Sequence, residues 1–161
     1  MKYNNSDLAE VWASQTEKDG QNGGSTFFFE GEAIYSYGYH FKIARLIPVV
    51  NLVLFTSNEC SATTGQHKGL VRRALGGRWR IVEVHDVEAE TEDQHYSNYK
   101  ECIEDIEELI CKAKHARKYT ETYLDHAEQK INALLVYIES FDIKNTKVLP
   151  FYRIIEEVRG L

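Results

Sequence analysis

The chain has 161 residues, 43% of them hydrophobic and 27% charged, and carries a net charge of −6. That length suits one domain able to bury its own core, and the composition excludes wholesale disorder. The acidity excludes a protein that coats nucleic acid indiscriminately, and no apolar run approaches the ~18 residues a membrane span requires.

Residues 1 to 25 are polar and end in a turn-rich stretch from Asp19 to Ser25, which predicts a flexible N-terminal segment. Within it, Ser6 to Ala13 suits a short helix with Leu8 and Trp12 on one face. The first fourteen residues lack a basic start followed by an apolar stretch, so they do not read as a secretory signal. Phe27 to Gly31 and Ala33 to Tyr37 are aromatic and β-branched runs around Gly31 and Glu32, a hairpin signal. Tyr39 to Ile47 suits a third strand, and the continuous apolar run from Val49 to Ser57 suits a central, doubly buried one. A helix follows, capped by Thr63 or Thr64, with Leu70, Val71, Ala74 and Leu75 at helical spacing and Gly76 and Gly77 at its end. Arg78 to Val87, rich in β-branched residues, reads as the final strand.

Between Gly77 and Pro150 there is no Gly or Pro, and Thr91 to Gln94 forms a capping-box pattern. From Tyr99 a strict 4-3 spacing selects Ile103, Ile106, Ile110, Ala113, Arg117, Thr120, Leu124, Ala127, Ile131, Leu134, Ile138 and Phe141. Such a seam is a coiled-coil pattern over six heptads, broken only by Arg117 and Thr120. A continuous helix of this length would reach roughly 65 to 75 Å and would have to bury its seam on a partner. Two readings stay open: a homo-oligomer, a dimer first, or a bend near Arg117 that folds the helix back. Pro150 predicts a short terminal helix through Val158, closed by Gly160. The expected fold class is therefore α+β: a small antiparallel sheet with one short helix over 26 to 90, then a long coiled-coil-like helix and a short C-terminal helix over 91 to 161, as one folding unit.

Charge is segregated along the chain. Residues 67 to 82 carry +5 and no acid, residues 83 to 110 carry −10, and residues 111 to 118 carry +4. Three cysteines, Cys60, Cys102 and Cys111, match no metal spacing and read as reduced thiols of a cytosolic protein.

The stretch from Phe27 to Arg45, with its Ile34-Tyr-Ser-Tyr-Gly38 core, His40-Phe41 and Ile43-Ala44, followed by Thr63-Thr64, His67 and Val71-Arg72-Arg73-Ala74, resembles a small uncharacterised family of phage and mobile-element proteins. The resemblance covers about a third of the chain and implies a phage or plasmid origin and residence in the cytoplasm of a bacterial host cell. It implies no activity.

The polar residues not needed for a core are His40, Lys42, Arg45, Ser61, Thr63, Thr64, His67, Arg72 and Arg73, and the ligand-binding candidates among them are His40, Arg45, Thr63, Thr64, His67, Arg72 and Arg73. A threonine pair at a helix N-terminus, with cations one and two turns on, predicts a ligand-binding surface for the phosphates of a nucleic acid or a nucleotide-like anion. The plainer alternative is that the threonines cap the helix and the cations are solvated. The aromatic residues from Phe27 to Phe41 could stack bases if exposed, although half of an alternating hairpin faces a core. Cys60 with His67 makes a weak nucleophilic pair, and His40, His67, His85 and His95 lack the spacing of a metal site. An enzyme acting on a nucleotide would need His40 and His67 together in a deep pocket, and no pattern calls for another cofactor. The expected function is a non-enzymatic phage accessory protein that binds nucleic acid and oligomerises through its seam. The alternative is an inhibitor of a bacterial defence system, contacting a host protein through the acidic residues Glu104, Asp105 and Glu108.

Overall fold

The computed structural model describes residues 2–160. They form two compact units divided after Glu88. The first holds a sheet of seven strands: β1 (Lys2–Tyr3), β2 (Asp19–Asn22), β3 (Phe27–Glu30), β4 (Ala33–Ser36), β5 (Lys42–Ile47), β6 (Leu52–Thr56) and β7 (Arg80–Val84), paired in sequence order. Neighbours run antiparallel except at the two ends, where β1/β2 and β6/β7 are parallel. Each parallel pair needs a crossover, supplied by α1 (Asn5–Ser14) and α2 (Ala62–Leu75). The small antiparallel sheet with one short helix is thus corrected to a mixed sheet with a helix over each end. Residues 2–22, expected as a flexible segment, supply α1 and two of the strands.

α1 and α2 share one core with the β3, β4, β5 and β6 side chains on the same side of the sheet: Leu8, Trp12, Phe27, Phe29, Ile34, Phe55, Val71 and Leu75 are buried together. Register explains the selection. Phe29 lies opposite Ile34 and Phe27 opposite Ser36, on the helix side, while Phe28 pairs with Tyr35 on the other face. Gly20 on β2 sits opposite Phe29, and a Cβ there would meet the Phe29 ring at 2.8 Å. The turn-like composition of this strand is therefore a packing requirement of its neighbour. A short 3-10 turn (Pro48–Val50) leads into β6, which is buried at every position. α2 is capped by Ser61, whose hydroxyl accepts from the Thr64 amide, rather than by Thr63 or Thr64.

The second unit is a bundle of three helices, α3 (Glu92–His115), α4 (Thr120–Phe141) and α5 (Leu149–Arg159). The expected long helix is interrupted at Ala116, whose backbone is extended, and at Tyr119, which is left-handed. α3 and α4 fold back on each other, with His95 near the start of α3 stacked on Phe141 at the end of α4. The seam residues Tyr99, Ile106, Ile110, Ala113, Leu124, Ala127, Ile131 and Leu134 are buried, and Ile103 and Ile138 are partly so. A projecting helix would leave that surface wet, and folding back covers it within the chain. The observation from which an oligomer was expected therefore has an intramolecular cause. α3 begins with the capping box of Thr91 and Gln94. α5 closes the bundle: Arg159 reaches Glu121, Asp125 and Glu128 of α4, and Phe151 and Ile155 are buried. Among the described residues no helix is long and apolar enough to cross a membrane.

Candidate functional site

The residues expected to form an anion site do not converge. Thr64 and His67 point into the first unit. The His67 ring is 3% exposed, stacked on Phe27 at 4.4 Å between ring centres, with Tyr37 5.8 Å away. Its Nδ1 lies 2.7 Å from the Ser36 hydroxyl, which is 3.0 Å from the Thr64 hydroxyl. Ser61 at the surface donates to Thr64 at 3.2 Å. Because each hydroxyl has one proton to give, this chain runs Ser61 to Thr64 to Ser36 and ends on Nδ1 as an acceptor, which fixes a neutral imidazole. Burial holds the His67 pKa below its ordinary value, in agreement with that direction. Ser36 is fully buried, and its side-chain partners are the Thr64 hydroxyl and the His67 imidazole, so the Ser36–His67 contact is a bond inside the core that a substrate cannot reach.

Most cations around α2 serve the fold in the same way. Arg72 pairs with Glu83 and lies over the Phe55 ring at 4.1 Å. Arg78 pairs with Glu10 and donates to Ser14, Arg80 donates to the Val50 carbonyl, and Lys68 donates to the Asn58 carbonyl. Arg45 donates to the Val87 carbonyl at 2.8 Å. Thr63, Arg73 and His40 are exposed, the last in the turn between β4 and β5. Cys60 is exposed and unbonded, while the His67 Nδ1 is engaged with Ser36. Among the described residues no three His, Cys, Asp or Glu side chains gather into a metal site. Of the acidic trio on α3, Glu104 is exposed, Asp105 is half-buried and Glu108 is ion-paired with Lys112 at 2.9 Å.

What the register brings together instead is aromatic. On the face of β3 and β4 opposite the two helices, Phe28 stacks on Tyr35 at 5.0 Å, and Tyr39 meets both rings edge-on at 5.1 and 5.2 Å. Phe28 and Tyr35 are half-exposed, and Tyr39 is 63% exposed. The Tyr39 hydroxyl donates to Glu30, which fixes the ring; that bond and the neighbouring charge raise the phenol pKa. Lys42 lies 5.6 Å over the Tyr35 ring and pairs with Glu88, holding that carboxyl below its usual range. Beside the rings is an open depression of about 620 Å³ lined by Lys18, Asp19, Gln21, Phe28, Glu30 and Tyr39. It offers flat apolar faces ringed by hydrogen-bonding groups of both signs, which suits a planar polar ring better than a bare phosphate. The aromatic run was visible in the sequence; which of its members face outward was decided by pairing register.

No family model, curated protein or solved structure matches this chain.

Proposed function

We propose that the chain is a non-enzymatic nucleic-acid-binding protein of a phage or mobile element, acting in the cytoplasm of a bacterial host. Its first unit holds unpaired bases of a single strand on the Phe28, Tyr35 and Tyr39 surface. The observation that supports this reading is three contiguous rings on the open face of a sheet, one of them pinned by Glu30 while mostly exposed. The three rings adjoin one another on the open face of the sheet, and a contiguous exposed aromatic patch marks a binding surface. Sheets that read single strands use such rings because every base has a face to stack and a duplex hides it. The phage setting rests on the resemblance of residues 27 to 74.

Anisotropy of a short labelled DNA or RNA strand tests it. Tyr39→Ala and Phe28→Ala should each weaken binding by about 5- to 100-fold, the range expected for one lost base stack. The first unit holds nine Lys and Arg against ten Asp and Glu, so the loss should be the same at low and high salt. Full affinity in both variants, or no binding by the intact chain, would end this reading.

A further inference from the structure

The turn between α3 and α4 carries three consecutive exposed residues, Arg117, Lys118 and Tyr119. Arg117 and Lys118 lie between two helix ends: the α3 C-terminus just before them favours cations and the α4 N-terminus just after them favours carboxylates, so the two dipoles oppose each other there. Tyr119 follows with φ of 67°, a left-handed conformation that glycine or asparagine adopts at less cost, and it makes no side-chain cap for the helix it begins. Its ring is 72% exposed. The α3 dipole tolerates the two cations, but neither dipole nor packing accounts for an exposed tyrosine in a costly backbone conformation, and such a residue beside a cationic run points to use by a ligand.

The surroundings agree. Residues 109 to 120 contain no acid. Lys114, Arg117 and Lys118 are exposed and make no ion pair among the described residues, whereas Lys112 is balanced by Glu108, which raises its pKa. An open depression of about 580 Å³ lies among Lys112, His115, Arg117, Lys118, Tyr119 and Tyr123. We propose that this tip is a second contact for single-stranded nucleic acid, with Lys114, Arg117 and Lys118 on backbone phosphates and Tyr119 against an unpaired base. The charge is complementary to a phosphate backbone, and the ring can stack only on a base that is not already stacked. A lipid surface fits less well, because the tip exposes no large aliphatic side chain to enter the acyl region. This inference stands on the second unit alone and does not rest on the Tyr39 surface.

The test is titration of a short labelled strand over a range of salt, with circular dichroism and thermal melting on every variant. Lys114→Gln/Arg117→Gln/Lys118→Gln should lower the slope of log affinity against log salt by about two, the value for three phosphate contacts to a single strand. Tyr119→Asn should weaken binding at least about fivefold at every salt concentration without lowering the melting temperature, since asparagine relieves the backbone. Lys114→Arg/Lys118→Arg keeps the charge and should restore the slope, which separates lost contacts from lost folding. An unchanged slope in the neutralised variant would overturn the phosphate role, and full affinity in Tyr119→Asn would overturn the stacking role. Sedimentation with phosphatidylserine vesicles but no strand binding would overturn the proposal in favour of a membrane. Tyr39→Ala leaves the slope intact, so failure of one surface is read separately from failure of the other.

Discussion

Two basic runs of similar charge, residues 67 to 82 and residues 111 to 118, look alike in sequence and have different uses in the molecule. Around α2, Arg72, Arg78, Arg80 and Lys68 each hold a carboxylate or a carbonyl, and His67 ends a buried hydroxyl chain. At the α3–α4 turn, Lys114, Arg117 and Lys118 hold nothing within the described residues, and Tyr119 adopts a costly backbone. The contrast teaches that a charge run is functional evidence only after the cations that the fold uses have been subtracted.

The largest effects should come from the residues the fold uses. Leu134, 1% exposed in the hairpin seam, should cost about 2 to 5 kcal/mol as Leu134→Ala, measured by urea unfolding. Because the seam is buried within the chain, light scattering should report a monomer for both proteins at tens of micromolar. A dimer that dissociates in the variant would move the seam into an interface and break the contrast.

A smaller effect belongs to His67. The imidazole is neutral in the fold and faces Ser36, Thr64, Phe27 and Tyr37, of which only the last is titratable. Its pKa is lowered by burial, so as pH falls through the free imidazole value the unfolded chain takes up a proton that the folded chain refuses. Stability is thus fully present above about pH 6.5 and declines below it, by at most about 1.4 kcal/mol per pH unit, until the pH passes the folded value. Unfolding at about pH 7.5 and about pH 5.5, one unit either side of the free value, should show this decline in the native chain and a shallower one in His67→Gln. Equal declines would mean that His67 is not the buried neutral group described here.

Much of this architecture could be read from the chain, and the misses have physical causes. Helical spacing marked α1 and α2, apolar and aromatic runs marked the β3–β4 hairpin and β6, and Pro150 with Gly160 marked α5, because each of these elements carries its own signal in its own residues. β1 and β2 carry no such pattern: two residues, and then the polar Asp19 to Asn22, become strands because the β3 edge needs a partner and only glycine at position 20 clears the Phe29 ring. The helix break has no Gly or Pro to announce it and rests on Tyr119 taking a left-handed backbone. The polar seam positions Arg117 and Thr120 were the visible trace of it. For the site, residue type was legible and direction was not. His67 reads as a phosphate ligand until Ser36, 31 positions away, is found beside it, and Phe28 reads as core until register turns it outward.

The smallest expected effect gives the sharpest comparison. Arg72 and Arg78 are more than a third exposed, so their ion pairs contribute under about 1 kcal/mol each. Arg72→Gln/Arg78→Gln should therefore still fold and, if those cations serve only the fold, should bind a single strand with an unchanged salt slope. The decisive measurement sets that variant beside Lys114→Gln/Arg117→Gln/Lys118→Gln in one salt titration with one labelled strand. The slope should fall by about two in the turn variant and stay as it was in the α2 variant; a fall in the α2 variant with none in the turn variant would contradict the assignment of the two basic runs.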